Sequence, residues 1–498
     1  MSFLTALYEE ASITLTENGA ITYSSTLDSN LDFFALASAK RARPMEAVSL
    51  FKDAFFSNDI LAILNLFHCR DIREGQGERN IFRECFLKLY EWNKDYFKKL
   101  LHFIPEYGRW DDLFHFLPHL SNTDQEYIVK HILMPQLTQD LETDNPSLLA
   151  KWIPLSNSVN SQKKKLESKI IQKYANMTER ELRKIIVPLR QKIQLVEQKL
   201  SEKKVNEIEY SKIPSRAGFK YRKAFLRNDE IRYKGFLEKA KSGEVKINTQ
   251  NINPYEIVSL IHQADMTQYR YPQKEIDLTA VPALWNNLPN YVQTGQNSIC
   301  VIDTSASMKE RIGAGLAEAL DVSISLGIYM AERNTGFFKD HFITFSAVPK
   351  LVKLQGSDII QRVQNIQKIV ENTNFQAVFD LILQAIVNHN IPEQDQPSTI
   401  YVISDMEFDN CGGSTNFDQI KQKYKRANIK MPQMVFWNVC SRGQNVPVRK
   451  HENGTFLVSG FSPRIFSYVI SNKADPVALM MDVLSTERYQ PIYEALKN

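Results

Sequence analysis

The residues best suited to chemistry follow a short apolar run over 299–302 and include Asp303, Ser305 and Ser307. An apolar run of this kind is typical of a parallel strand that is buried on both faces. Open α/β sheets bind their ligands at the carboxyl ends of such strands. One carboxylate and two hydroxyls at the spacing D-x-S-x-S can direct three oxygens to one point, and hard oxygens suit Mg²⁺. The alternative is a serine-rich turn that caps the next helix.

Two later loops carry further oxygens where a parallel sheet would bring them to the same edge. Thr373 precedes a predicted helix over 377–387, and Asp405 ends a predicted buried strand over 399–403. Three loops that agree favour a metal site over a helix cap. The predicted site consists of Asp303, Ser305, Ser307, Thr373 and Asp405. We expect it to hold a divalent cation, with Mg²⁺ as the expected ion, together with waters and one open position.

Apolar periodicity divides the chain into a helical part and an α/β part. Short amphipathic helices follow one another without strands from Pro44 to about residue 254, which predicts an α-solenoid of helix pairs. Predicted strands and helices alternate from residue 298 onward, which indicates a doubly wound, mostly parallel α/β domain. Small residues over 315–332 predict a helix that packs closely on the sheet, and a strand is predicted over 341–346.

The predicted domain organisation has four parts. They are an N-terminal arm over 1–43, a helical domain over 44–267, a proline-containing linker over 268–297, and an α/β domain with C-terminal helices over 298–498. A length of 498 residues with 43% hydrophobic and 24% charged residues agrees with a folded protein of about two to four domains.

Charge is concentrated in the middle of the chain. The net charge is +4, but 23 Lys and Arg stand against 11 Asp and Glu between residues 160 and 245, a local charge of +12 (23 − 11). The other residues therefore sum to −8 (4 − 12). A basic segment of this kind favours a nucleic-acid partner.

Aromatic rings alternate with cations over 219–236 in this basic segment. Phosphates attract the cations, and unstacked bases stack on the rings. The alternative is a set of ordinary surface helices with solvated charges. Candidate RNA contacts, chosen by charge, are Lys163, Lys164, Lys165, Arg183, Lys184, Arg190, Lys220, Arg222 and Lys223.

The segment 70–79 is unusually rich in charge, with three arginines, three acids and two glycines. The glycines allow a tight turn between two helices. We expect the charges to pair among themselves and to lock adjacent helix pairs together. Direct contact with a ligand is the alternative.

Cysteine content and terminal sequence bear on the compartment. The five cysteines form no C-x-x-C pair and are odd in number, which indicates a reduced, intracellular protein. The first residues lack the apolar core of a signal peptide, and no apolar run is long enough to span a membrane. We therefore expect a cytoplasmic protein, although nuclear and virion locations agree with the same features.

The pattern Asp303-x-Ser305-x-Ser307 with Thr373 and Asp405 resembles the metal-ion-dependent adhesion site (MIDAS) of von Willebrand factor A domains. The segment 70–79 resembles the TROVE module of the Ro autoantigen family. The phrases PSRA (214–217), TNFQ (373–376) and SDMEFD (404–409) resemble an uncharacterised branch of that family found in plants, fungi and large DNA viruses. The resemblance covers about residues 30–490 and leaves a Lys-rich stretch over 162–212 unaligned.

This resemblance implies a ring or horseshoe of HEAT-like helix pairs followed by a von Willebrand factor A domain, with small non-coding or misfolded RNA as partner. The first hypothesis is therefore a non-enzymatic RNA-binding scaffold of the ribonucleoprotein type that carries a divalent-cation adhesion site. The second is a metal-dependent protein–protein interaction module without RNA binding, in which a partner offers a carboxylate to the cation. A phosphoryl-transfer enzyme would need a glycine loop that cradles phosphate or a second carboxylate-rich metal site. The sequence contains neither pattern, so we expect no enzymatic activity.

Overall fold

The computed structural model of the chain describes residues 3–156, 161–267, 276–292, 295, 297–313, 315–345, 348–366, 373–469 and 475–497. Helices dominate up to residue 267, and an α/β region begins at residue 298. The predicted order of a helical region followed by a mostly parallel α/β domain is thus confirmed. The first part of the predicted linker, 268–275, and the last residue of the strand predicted over 341–346 lie outside the described residues.

Short helices follow one another through the helical region, as the apolar periodicity predicts. Asn58 and Asn93 cap two of them, because their side chains accept hydrogen bonds from first-turn backbone N–H groups. The helices before the α/β region are Phe3–Ala11, Ser29–Leu36, Pro44–Ser57, Asp59–Arg70, Arg79–Trp92, Lys94–Leu100, Ile104–Tyr107, Trp110–Phe116, Asn122–Ile128, Met134–Glu142, Leu149–Trp152, Gln162–Ala175, Glu179–Lys192, Val196–Ser201, Ser215–Asn228, Glu230–Lys241, Pro254–Thr267 and Val281–Asn286.

Among the described residues, the α/β region contains a sheet of six strands: β3 (Ser298–Ile302), β4 (His341–Thr344), β5 (Lys350–Lys353), β6 (Thr399–Ser404), β7 (Gln433–Asn438) and β8 (Thr455–Ser459). They are adjacent in the order β5-β4-β3-β6-β7-β8. All neighbours are parallel except β4 and β5, which form an antiparallel pair at the edge. Every residue of β3 and β6 is buried, which agrees with the apolar run that predicted β3.

Helices cover both faces of this sheet. Phe436 and Trp437 are adjacent on β7 and therefore point to opposite faces. Phe436 stacks on Phe375 at a ring distance of 5.9 Å, and Trp437 packs edge-on against Phe466 at 5.0 Å. The helices of the region are Ala319–Arg333, Ile359–Asn365, Phe375–His389, Asn416–Arg426, Ile465–Tyr468, Pro476–Leu484 and Gln490–Lys497.

The helix Ala319–Arg333 lies directly against β3 and begins later than predicted. A Cβ atom at Gly327 would lie 2.6 Å from a side-chain carbon of Ile302, so the close approach requires glycine, as the small residues of this segment predict. The predicted start at residue 315 is wrong. Residues before 319 form a loop in which the Ile312 N–H donates to the Ala317 carbonyl at 3.0 Å, and Glu318 caps the helix.

The predicted N-terminal arm packs on the α/β region. Strands β1 (Ile13–Leu15) and β2 (Ile21–Tyr23) form an antiparallel hairpin. Tyr23 and Val446 exchange backbone hydrogen bonds of 3.2 and 2.9 Å. The following helix, Ser29–Leu36, contacts β8, where the Ser459 hydroxyl donates to the Phe34 carbonyl at 3.3 Å. The start of the chain therefore packs against the C-terminal α/β region.

The charged segment 70–79 holds separate parts of the chain together. The expectation that its charges pair among themselves is wrong, because their partners lie in other elements. Asp71 binds Arg488 at 2.8 Å, which joins this segment to the C-terminal helices. The other pairs are Arg70–Asp112, Arg73–Glu106 and Arg41–Glu78. The segment thus does hold parts of the chain together through ion pairs, as predicted, but its partners are distant in sequence.

Among the residues that the structure describes, none of the helices combines the length and the apolar character that a bilayer crossing requires.

His68 lies buried at the junction of the two regions and gives a pH prediction. Its Nδ1 atom is 3.0 Å from the Tyr489 hydroxyl, its Nε2 atom has no partner among the described residues, and burial lowers its pKa to about 4. The unfolded chain takes up this proton near pH 6.5. The stabilisation by neutral His68 is therefore complete above pH 6.5 and is lost as the pH falls towards 4. Between pH 7 and 5 this loss amounts to about 2 kcal/mol.

Urea unfolding at pH 7 and pH 5 tests this expectation. The His68→Gln variant should lose about 2 kcal/mol less than the wild type over this interval. His102→Gln is the matched control, because His102 is exposed, and it should follow the wild type. Equal pH dependence in all three proteins would contradict a neutral, buried His68.

Candidate metal centre and basic surface

The two carboxylates of the predicted metal site lie side by side at one edge of the sheet. Asp303 follows β3 and Asp405 follows β6, and these strands are parallel neighbours with Ile302 opposite Ile403. The Asp303 N–H continues this pairing and donates to the Ile403 carbonyl at 3.0 Å. Asp303 is 0% and Asp405 2% exposed. The sheet therefore holds both carboxylates at a common, buried position.

Hydroxyl groups surround this pair. The Ser404 hydroxyl donates to Asp303 Oδ2 at 2.6 Å, and the Ser305 N–H donates to Asp303 Oδ1 at 2.9 Å. The hydroxyl oxygens of Ser305 and Ser307 are 2.9 Å apart. The predicted D-x-S-x-S loop therefore does gather its oxygens at one point. Ser404 is a further member that the pattern did not include.

Thr373 reaches the same edge on a separate loop. It stands two residues before the helix Phe375–His389, and its carbonyl accepts a hydrogen bond of 3.1 Å from the Asp409 N–H. This bond ties the Thr373 loop to the loop that carries Asp405. All five predicted residues are thus on loops at the carboxyl edge of the sheet.

Burial and mutual repulsion disfavour the charged state of this site. Burial raises the pKa of Asp303, and the nearby Asp405 carboxylate raises it further. Burial likewise raises the pKa of Asp405, which Ser307 and Arg442 partly oppose. A bound cation would relieve both effects. Two carboxylates with hydroxyls are hard oxygen donors, and they fit Mg²⁺, which takes few protein ligands and keeps several waters. No group of three or more His, Cys, Asp or Glu side chains suited to a metal occurs in the described part of the chain.

Arg442 is a functional neighbour that the sequence patterns missed. Its Nη2 atom lies 3.0 Å from Asp405 Oδ2 and 3.0 Å from Glu17 Oε2, and its Nε atom lies 3.8 Å from Glu310. Arg442 comes four residues after β7, so the rule that ligands gather at strand ends was the signal that could have found it. Glu17 comes from the N-terminal hairpin, and only the tertiary fold reveals its position.

The hairpin turn also fastens the loop after β6. The Glu407 carboxylate accepts a hydrogen bond of 2.7 Å from the Glu17 N–H and bonds of 2.9 and 3.1 Å from the Asn445 amide. Thr16 donates to the Phe408 carbonyl at 2.7 Å. The loop that carries Asp405 is therefore held on both sides, by the hairpin and by the segment after β7.

Some of the nine predicted RNA contacts have partners within the protein. Arg190 donates to the carbonyls of Ala150 and Ile153, and Arg222 is 8% exposed and donates to the Phe219 carbonyl. Lys163, Lys164 and Arg183 contact His115, Glu167 and Glu179, respectively. The remaining members are exposed: Lys165, Lys184, Lys220 and Lys223. These four lysines, on three helices, form the exposed basic set.

Lys220 within this set keeps an aromatic neighbour. Its Nζ atom lies 4.7 Å from the centre of the Tyr221 ring, so cation and ring are presented together. Phe225, by contrast, is fully buried and packs against Tyr210. The aromatic residues of the basic segment thus divide between core packing and surface positions.

Comparisons with known proteins match most of the chain. A family model described as a domain of unknown function (DUF2828) matches residues 16–94 and 143–295, and another domain of unknown function (DUF7788) matches residues 297–483. The chain is 26% identical over 528 residues to the uncharacterized protein L728 of Acanthamoeba polyphaga mimivirus, which covers 97% of this chain and 89% of that protein. This relative agrees with the expected resemblance to viral proteins.

Among solved structures, the crystal structure of the Deinococcus radiodurans RO (RSR) protein aligns with 90% of this chain and 92% of that chain. The sequence identity of this alignment is 12%, and its TM-score is 0.34.

Arg442 should stabilise the buried carboxylates. Arg442→Met leaves Asp405 without its arginine, and because Arg442 is 21% exposed we expect a loss of about 2–4 kcal/mol in the free energy of unfolding. Removing the carboxylate as well, in Asp405→Asn/Arg442→Met, should recover at least about 1 kcal/mol of this loss. Lys421→Met is the control for an exposed pair and should cost less than about 1 kcal/mol. If the double variant loses as much unfolding free energy as Arg442→Met and Asp405→Asn lose together as single variants, the pair is not stabilising.

Proposed function

We propose that this protein is a non-enzymatic RNA-binding scaffold of the Ro type, with a TROVE-like helical ring and a von Willebrand factor A-like domain that carries a divalent cation. The observation that carries the RNA part is the exposed basic set, Lys165, Lys184, Lys220 and Lys223. These lysines belong to a segment with a local charge of +12 (23 − 11), and none of them pairs with a carboxylate among the described residues. Lysines without a carboxylate partner on three helices of one basic segment suit a phosphate backbone.

The contacts at the ends of the helical region support a closed ring. Near its start, the helix Asp59–Arg70 contacts the C-terminal helices Pro476–Leu484 and Gln490–Lys497. Its late helix, Pro254–Thr267, packs along the helix Ala319–Arg333 of the α/β region. Both ends of the helical region therefore contact the α/β region, which would close the ring.

RNA binding should depend strongly on salt. We expect the affinity for single-stranded RNA to fall with a log–log slope of about −0.7 for each phosphate contact. Replacing the four lysines of the basic set by Gln should weaken binding and reduce this slope by about 0.7 for each lysine that contacts a phosphate. Fluorescence anisotropy over a range of KCl concentrations measures both quantities.

A charge-matched control separates local contacts from net charge. A variant in which four exposed lysines of the α/β region are replaced by Gln removes the same charge; Lys350, Lys353, Lys425 and Lys430 serve this purpose. It should keep the wild-type salt slope. Binding that is insensitive to salt, or equal slopes in the wild type and the basic-set variant, would refute the RNA part of the proposal.

The cation part rests on the two buried carboxylates and their hydroxyl neighbours. Asp303, Asp405, Ser305 and Ser307 would hold the ion, and Thr373 belongs to the same edge of the sheet. The role proposed for the ion is to neutralise the buried pair and to keep the loops after β3 and β6 in place. The proposal includes no reaction at this site.

Thermal unfolding in Mg²⁺ and in EDTA tests the cation part. Mg²⁺ at 100 times its dissociation constant should add about 2.7 kcal/mol to the stability of the wild type. Asp303→Asn should remain folded in EDTA, because it removes one of two repelling carboxylates, and should lose the response to Mg²⁺. Asp395→Asn is the control, because Asp395 precedes the amino end of β6, away from the site. This variant should keep the stabilisation by Mg²⁺. A Mg²⁺ response that persists in Asp303→Asn would place the ion elsewhere.

A further inference from the structure

A cavity of about 320 Å³ lies between the helical region and the α/β region. Its wall includes the charged segment 70–79, residues between 250 and 256, and the residues just before the helix Ile465–Tyr468. Six arginines line it: Arg41, Arg70, Arg79, Arg109, Arg216 and Arg464. Six guanidinium groups around one cavity repel one another unless negative charge lies nearby.

Carboxylates of the protein neutralise half of these arginines. The pairs are Arg41–Glu78, Arg70–Asp112 and Arg216–Glu256, at 2.6, 2.7 and 2.6 Å. The remaining acid of the wall, Asp71, is bound by Arg488 at 2.8 Å. The acids around the cavity are therefore already engaged.

Arg79, Arg109 and Arg464 form no ion pair with any of the described residues. Aromatic rings orient two of them: the Arg109 guanidinium lies 5.5 Å from the centre of the Trp152 ring, and that of Arg464 lies 5.2 Å from the Tyr291 ring. Such contacts fix the direction of a guanidinium but leave its charge in place. The cavity thus has three positive charges without an internal partner.

Burial and mutual repulsion disfavour the charged state of two of these arginines. Burial lowers the pKa of Arg109 to about 10, and Arg79, Arg70 and Arg216 contribute by repulsion. Burial also lowers the pKa of Arg79, and Asp111, which opposes this, is itself bound by Arg83 at 3.0 Å. Both arginines stay protonated at neutral pH, so an anion in the cavity would relieve their repulsion.

A helix end adds to the attraction for an anion. The helix Arg79–Trp92 has 14 residues, and its first two, Arg79 and Asn80, line the cavity. Its N-cap residue Glu78 makes no side-chain cap hydrogen bond, because Arg41 holds the carboxylate. First-turn N–H groups and the helix dipole favour a negative ligand at such an end.

We propose that this cavity binds a phosphoryl group. Guanidinium groups that converge from several elements match the oxygens of a phosphate, and the volume suits a ligand between pyrophosphate and a mononucleotide in size. A free phosphorylated compound and the terminal phosphate of an RNA present the same group. The site goes beyond the proposed function, because a free compound would occupy it without RNA.

Isothermal titration of the full chain with pyrophosphate, without RNA, tests this proposal. The wild type should bind it, and Arg79→Gln and Arg464→Gln should each weaken binding at least about tenfold, because each loses a charge-assisted hydrogen bond. Arg73→Gln is the matched control: it changes the same segment, but Arg73 is exposed and does not line the cavity. It should bind like the wild type.

Two results would overturn the proposal. One is a wild type that binds neither pyrophosphate nor phosphate at millimolar concentration. The other is wild-type affinity in both Arg79→Gln and Arg464→Gln. These arginines belong to different regions of the chain, so if one variant fails to fold the other still decides. RNA binding that is insensitive to salt or unchanged in the basic-set variant, together with intact pyrophosphate binding, would refute the proposed function and leave this site standing.

RNA oligomers of one sequence with either a 5′-phosphate or a 5′-hydroxyl identify the source of the group. A preference of the wild type for the phosphorylated oligomer that is lost in Arg79→Gln assigns the cavity to an RNA end. Pyrophosphate binding without such a preference assigns it to a free compound. Both results support a phosphoryl site.

Discussion

The pair of buried carboxylates at the end of β3 and β6 is the constraint on which much of this structure depends. The strand register places Asp303 level with Ser404, one residue before Asp405, and both buried carboxylates contact the Ser404 hydroxyl. Burying such a pair is costly unless it is hydrogen-bonded and neutralised. The Ser404 hydroxyl and the Ser305 N–H donate to the two Asp303 oxygens, and Arg442 binds Asp405. Arg442 in turn contacts Glu17, so this ion pair joins the N-terminal hairpin to the site in the C-terminal α/β region.

This dependence explains which parts of the site could be predicted from the sequence. An apolar strand followed at once by a carboxylate is a local pattern, and it located Asp303 and Asp405 correctly at one edge of a parallel sheet. The same rule extended to β7 would have indicated Arg442. Nothing local indicates Glu17, because its neighbours form a small hairpin whose position depends on backbone pairing with Val446 and on the Phe408 carbonyl. Sequence periodicity predicts elements, whereas such docking is decided by tertiary contacts.

The basic segment shows the same limit at the level of single residues. Arg222 and Lys223 are adjacent and equally charged, yet Arg222 is buried against the Phe219 carbonyl and Lys223 is exposed. An arginine can turn back to a carbonyl of its own helix while its stem packs against a ring, whereas a lysine ammonium is more strongly hydrated. Charge counting therefore located the basic segment but could not separate cations that stabilise the helices from cations free to meet a ligand.

The charges of the segment 70–79 were expected to pair among themselves and to lock adjacent helix pairs together, and their long-range pairing changes how the two regions are coupled. Asp71 already joins the helical region to Arg488, and the unpaired Arg79 and Arg464 face one cavity from opposite regions. Each of them brings to this junction a positive charge that has no ion-pair partner among the described residues. With an anion between them, the same charges would attract both regions to a common ligand. Occupancy of the cavity and closure of the helical region on the α/β region would then favour each other, because a ligand that contacts both regions binds their docked arrangement more tightly than a separated one.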